Sequence, residues 1–102
     1  MKTITNYREF SDNNSDDSML EYIGNVIRLS DKEKILEHFK KYSSESAVLS
    51  QSACDYVTGK NLPNSILCYT DGIYVWTNEE VYHFNKYNLK LNDDFLNYVL
   101  NT

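Results

Sequence analysis

Cysteine, glycine and basic residues are scarce in this 102-residue chain, and long apolar runs are missing altogether. The two cysteines, Cys54 and Cys68, allow one disulfide at most and show no CxxC spacing. That excludes the cysteine-dense framework of a small secreted domain. The three glycines stand apart from one another, so no Gly-rich loop can cradle a phosphate. No apolar stretch approaches the ~20 residues that span a bilayer. The start, Met1 to Asn6, has one basic residue and no apolar run of the signal-peptide kind. A cytoplasmic protein with both thiols reduced is expected. Ten Lys and Arg face fifteen Asp and Glu, a net charge of -5. A shortage of cations weighs against direct nucleic-acid binding, which needs Lys and Arg to displace phosphate counterions. It weighs equally against an anionic membrane surface and favours a basic partner.

What is present fits one domain over residues 1–102. Hydrophobic residues at 41% and charged residues at 25% suffice for a single core without staples. One stretch, residues 11–18, is polar and acidic throughout and reads as a flexible loop or arm. Ahead of it, Ile4, Tyr7 and Phe10 can pack a short N-terminal piece onto the body. Ser18 with Glu21 has capping-box spacing, and Leu20, Ile23 and Ile27 form an apolar stripe behind it. Ser30 with Glu33 repeats the pattern, predicting a second helix with Ile35, Leu36 and Phe39 inward. Ala47-Val48-Leu49 suits a short buried strand. Ser50 to Val57 reads as a helical turn closed by Gly59, and Leu62-Pro63-Asn64 as a turn.

Beyond Pro63 the pattern turns to β. The runs Ile66 to Thr70 and Ile73 to Thr77 are separated by Asp71-Gly72, the signature of a type I′ hairpin. That pairing sets Tyr69 opposite Tyr74 and Leu67 opposite Trp76. Thr77 with Glu80 opens another helix, carrying Val81, Phe84 and Tyr87 inward and stopped at Asn88. Asn92 caps a last helix with Phe95, Leu96 and Val99. The fold class is α+β: a small antiparallel sheet with a central β-hairpin, flanked by several α-helices.

Chemical motifs are sparse. His38 and His83 each lack a second ligand at i+3 or i+4, so no metal site is read, and both are placed at surface or helix-end positions. A Cys–His pair for nucleophilic catalysis has no local support, because Cys68 alternates into the apolar strand face. The pairs Asp16-Asp17, Glu79-Glu80 and Asp93-Asp94 stand at predicted helix starts, where the dipole favours negative charge. No catalytic residue and no cofactor is expected. The aromatic content of 14%, with nine tyrosines, is more unusual. Tyr69, Tyr74 and Trp76 share one hairpin face. Either a helix covers that face, or it stays partly exposed for a protein partner.

The segment Asp71-Gly72-Ile73-Tyr74-Val75-Trp76-Thr77, then Tyr82 and Tyr87, then Leu89 to Phe95, resembles small bacterial immunity proteins. Those proteins neutralise toxins of polymorphic and contact-dependent growth-inhibition systems. The resemblance covers residues 60–100, with Asn92 where the pattern has proline. It implies an antitoxin without chemistry of its own, bound to a cognate toxin domain, a basic nuclease for preference, since opposite potentials speed encounter. Tyr69, Asp71, Tyr74, Glu79, Glu80 and Asp93 are the expected contact residues. The alternatives are an acidic adaptor or nucleic-acid mimic that occupies another protein's basic cleft, and a small Cys/His enzyme.

Overall fold

Thr77 and Glu80 fix the start of the best-defined helix, as their spacing predicts. In the computed structural model, which describes residues 1–11, 13–44 and 47–101, the Glu80 amide donates to Thr77 Oγ1 at 3.3 Å, and the Thr77 amide donates to Glu80 Oε1 at 3.0 Å. This helix, α2 (Asn78–Tyr87), ends on Asn88, whose left-handed backbone (φ +51°) closes it. Strand β4 (Tyr74–Thr77) runs straight into α2, and α3 (Asp93–Leu100) follows, again as read from the sequence.

The other elements are β1 (Lys2–Thr3), a single 3-10 turn (Met19–Tyr22), α1 (Leu29–Lys41), β2 (Ala47–Asp55) and β3 (Lys60–Thr70). The sheet order is β1-β4-β3-β2. Three strands are antiparallel, but β1 lies parallel to β4, with Lys2 beside Tyr74 and Thr3 beside Val75. The sheet is therefore mixed, and its hairpin β3–β4 lies at the centre. A two-residue strand has too little pattern to be legible. It forms because the adjoining backbone is tied down: the Lys2 amide donates to Ile73 O, and Ile4 O accepts from the Asn92 amide.

Local expectations are corrected at the hairpin, after Ser18, at the start of α1, along β2 and at Pro63. The predicted hairpin register is displaced: Tyr69 pairs with Trp76 and Thr70 with Val75, so Gly72-Ile73 forms the tip. Gly72 takes φ +96° while Ile73 stays on the negative side, so a turn with one positive φ replaces the type I′ turn. The cause is the Asp71 carboxylate, which accepts from the amides of Ile73 (2.9 Å) and Tyr74 (2.7 Å). Because partners shift by two, Tyr69, Tyr74 and Trp76 still share one face.

The predicted helix after Ser18 shrinks to one 3-10 turn. Ser18 Oγ caps it by accepting from the Leu20 amide, but Gly24 (φ +71°) diverts the chain and sends its amide to Tyr87 O. Tertiary bonds replace the helical ones. Helix α1 starts at Leu29, with Ser30 inside its first turn. Ala47-Val48-Leu49 is exposed instead of buried, and the strand runs on through Ser50 to Asp55, where a helical turn was expected. Leu62-Pro63-Asn64 lies inside β3 and not in a turn. A register shift in the β2–β3 pair between Ser52 and Cys54 accommodates the proline, which cannot donate to a ladder.

The core sits between the sheet and the helices. Ile4, Ile35, Phe39, Tyr74, Trp76, Phe84, Leu91, Phe95 and Val99 form one buried cluster, with Phe39 and Phe95 stacked at 5.7 Å. Tyr7, Met19 and Leu89 form a second, with Phe10 and Tyr56 against it. The N-terminal piece thus packs on the body as expected. Within the acidic stretch 11–18, Ser18 Oγ donates to Glu9 Oε2 at 2.5 Å and Asp17 O accepts from the Arg8 amide. Asp12, one of its acidic residues, lies outside the described residues. Among the described residues no helix is long and apolar enough to cross a membrane.

Candidate functional site

The six expected contact residues do not form one surface patch. Tyr74, Glu79 and Glu80 are buried. The Asp71 carboxylate is fully buried against His38 Nε2, 2.8 Å away. Only Asp93 is well exposed, paired with Lys90, while half-buried Tyr69 lines a cleft described below. The alternative in which helices cover the hairpin face is the one realised. Tyr74 packs edge-on against Phe95 and donates its O–H to Asp94 at 3.1 Å.

The buried acids have structural partners. Glu79 Oε2 accepts from the Cys54 amide at 2.8 Å, and His83 Nε2 accepts from the Tyr56 amide at 3.0 Å. Since Asp55 O accepts from Gly59 across the hairpin, the alternating amides of Cys54 and Tyr56 face outward from β2. One side of α2 therefore seals the last part of the sheet edge. His83 is completely buried rather than at the surface. Its Nδ1 lies 2.6 Å from Glu79 O, so the proton belongs on Nδ1 and the ring is neutral. Burial lowers its pKa accordingly. Next to it, Asp55 accepts from the hydroxyls of Tyr82 (2.7 Å) and Tyr87 (2.6 Å) and the amides of Val57 and Thr58. Burial alone would raise the Asp55 pKa, but these donors hold it far below the usual carboxylate range.

Glu80 has the opposite balance. It accepts from Thr5 Oγ1 at 2.6 Å and from Thr77, yet complete burial outweighs those bonds and pushes its pKa up to about 7. At Asp71, burial is overcome by the amides of Tyr74 and Ile73 and by His38, which keep the carboxyl below its ordinary value. Burial, then Glu79 and Asp55, raise the Cys54 thiol, the opposite of the electropositive setting that makes a thiolate nucleophile. Cys54 and Cys68 are not joined in a disulfide. Among the described residues no group of three or more His, Cys, Asp or Glu is placed to hold a metal ion.

Two surface features remain. The first is the outer edge of β2, which has no neighbouring strand among the described residues. From Ala47 to Ser52 it is exposed and carries no charge, with Val48 60% and Leu49 43% accessible. The second is an apolar cleft of about 350 Å³ between α1, the hairpin and α2, walled by Leu36, Phe39, Tyr69, Trp76 and Val81 with Lys40 at its side.

Comparison of the chain with protein-family models, curated proteins and solved structures finds no match.

Neither surface feature was anticipated from the sequence. The β2 edge had a legible signal. An uncharged run from Ala47 to Ala53 lacks the Lys or Pro with which exposed edges are usually blunted. The cleft had none, since its walls come from helices and strands far apart in the chain.

Proposed function

We propose that this protein is an inhibitor of the immunity-protein kind, which acts in the cytoplasm by binding a basic toxin domain. The observation that carries the reading is the open edge of β2. A nine-residue strand with exposed Val48 and Leu49 and no charge before Asp55 is a hazard in a protein that works alone. It is useful in one that receives a partner's extended segment: main-chain bonds supply affinity, and alternate side chains supply selection. The net charge of -5 supports a basic partner, because complementary potentials steer encounter. The expected contact surface moves with this reading. Val48 and Leu49 replace Asp71, Tyr74, Glu79 and Glu80, which serve the interior, while half-buried Tyr69 and outlying Asp93 are kept from the expected set.

The test is coexpression with basic toxin domains, beginning with any encoded beside this protein. Cells carrying both should survive, and the two proteins should copurify. Equal killing with and without this protein, together with no complex on mixing, would falsify the proposal.

A further inference from the structure

Glu80, at the start of α2, is buried where two segments far apart in the sequence meet. Its Oε2 accepts from Thr5 Oγ1 at 2.6 Å and its Oε1 from the Thr77 amide at 3.0 Å. Among the described residues no cation pairs with it. Charged groups on the surrounding elements have other partners or face water. Lys2 of β1 lies over the Tyr74 ring, and Lys32 of α1 donates to Asn85 O and Asn88 Oδ1. Asp55 of β2 accepts from Tyr82 and Tyr87, Lys60 of β3 is exposed, and β4 carries no charge. On α2 itself, Lys86 donates to the Tyr82 hydroxyl, and neutral His83 packs against Phe10 and Tyr56. Glu79, the remaining neighbour, opposes a second negative charge. A buried carboxyl without a cation is costly to ionise, so the closed structure favours its acid form.

Thr5 belongs to a segment with its own set of ties. Residues 1–6 hold to the body through the Lys2 amide on Ile73 O, and through Ile4 in the main core cluster. Ile4 O and Thr3 O accept from the backbone and side chain of Asn92. From Tyr7 onward the chain is anchored separately, in the second core cluster and by the Tyr7 hydroxyl on Lys90 O. Residues 1–6 can therefore lift while the rest stays folded. We propose that they form a proton-controlled strap, closed over Glu80 while its carboxyl is protonated and released when that proton passes to water. Lys2 and Thr3 are the partners of Tyr74 and Val75, so release bares the edge of β4. The sheet then offers a second open edge, on the side opposite β2. The device is independent of the inhibitor reading.

Hydrogen exchange of the full chain between pH 4.5 and 8, corrected for intrinsic exchange, tests the strap. The Lys2 and Asn92 amides bond across it, and the Phe84 amide inside α2 marks global unfolding. The carboxyl titrates at 4.5 when released and at about 7 when closed, so opening sheds one proton. The opening constant should rise nearly tenfold per pH unit between 4.5 and 7 and then level off, about 300-fold in all. Lys2 and Asn92 should exchange well before Phe84 throughout. Glu80→Gln cannot ionise, and it should make their protection independent of pH. Protection of Lys2 and Asn92 that stays constant with pH in the wild-type chain overturns the proton control, as does an unchanged profile in Glu80→Gln. Exchange of both amides only together with Phe84 overturns the strap itself.

Discussion

Glu79 and His83 stand one turn apart on α2 and close the same strand edge. Glu79 takes the amide of Cys54, His83 takes that of Tyr56, and the His83 ring is fixed by the Glu79 carbonyl at 2.6 Å. The helix acts here as a substitute strand, supplying acceptors at the two-residue spacing that a ladder needs. It stops at Cys54, and the remaining edge of β2 is left open. Glu79, expected as a contact group, instead helps set where the open edge of β2 begins.

His83 can accept from Tyr56 only while its ring is neutral. Its folded pKa is lowered from 6.5, so the unfolded chain takes up a proton first as pH falls. The stabilisation is present above pH 6.5 and is lost below it, at up to about 1.4 kcal/mol per pH unit for one proton. His83→Gln retains an acceptor and does not titrate. Urea unfolding of this variant should show a shallower loss of stability between pH 6.5 and 5; a slope equal to wild type would mean that His83 is charged or exposed.

Glu80 predicts the reverse slope on the other side. Its pKa rises from 4.5 to about 7 on folding, so the native state holds its proton longer. This contribution is intact below pH 4.5 and disappears as pH rises through 7, an effect on the order of 3 kcal/mol. Glu80→Gln keeps the carbonyl that caps α2 and lets Thr5 accept. At pH 8 it should melt higher than wild type, and at pH 4.5 the two should converge. A variant less stable than wild type at pH 8 would show that ionised Glu80 is well solvated.

Gly72 takes φ +96° at the hairpin tip, and a Cβ placed there meets nothing within 4 Å. The cost of substitution is therefore conformational alone. Gly72→Val should lower stability by about 1–2 kcal/mol, with near-native structure by circular dichroism. An unchanged melting temperature would place the tip elsewhere.

Tyr74 and the β2 edge separate folding from binding. Tyr74 is 3% exposed, so Tyr74→Ala should cost about 3 kcal/mol of stability as a core truncation. Val48→Lys with Leu49→Lys changes exposed positions and should shift the melting temperature by no more than about 4–8 °C, given that each surface change stays within about ±0.5 kcal/mol. In surface-plasmon measurements on the purified toxin pair, the double lysine variant should lose the complex, and salt should slow association of the wild type. Wild-type kinetics in the lysine variant would remove β2 from the interface.

Local signals settled the second half of the chain. Thr77 and Glu80 announce a helix start through their own hydrogen bonds, Asn88 ends that helix through its own backbone, and Asn92 to Val99 carry helical spacing, so these elements were legible residue by residue. The shared face of Tyr69, Tyr74 and Trp76 was equally legible, because alternation survives a register shift of two. What the tertiary structure alone decided was the use of the polar groups. Whether Glu79 faces water or the Cys54 amide, whether His83 is a surface or an edge-closing residue, and whether the chain after Ser18 coils as a helix or bonds to Tyr87 all depend on partners distant in sequence. A side chain's type limits the bonds it can make, but only packing decides whether water or another segment makes them.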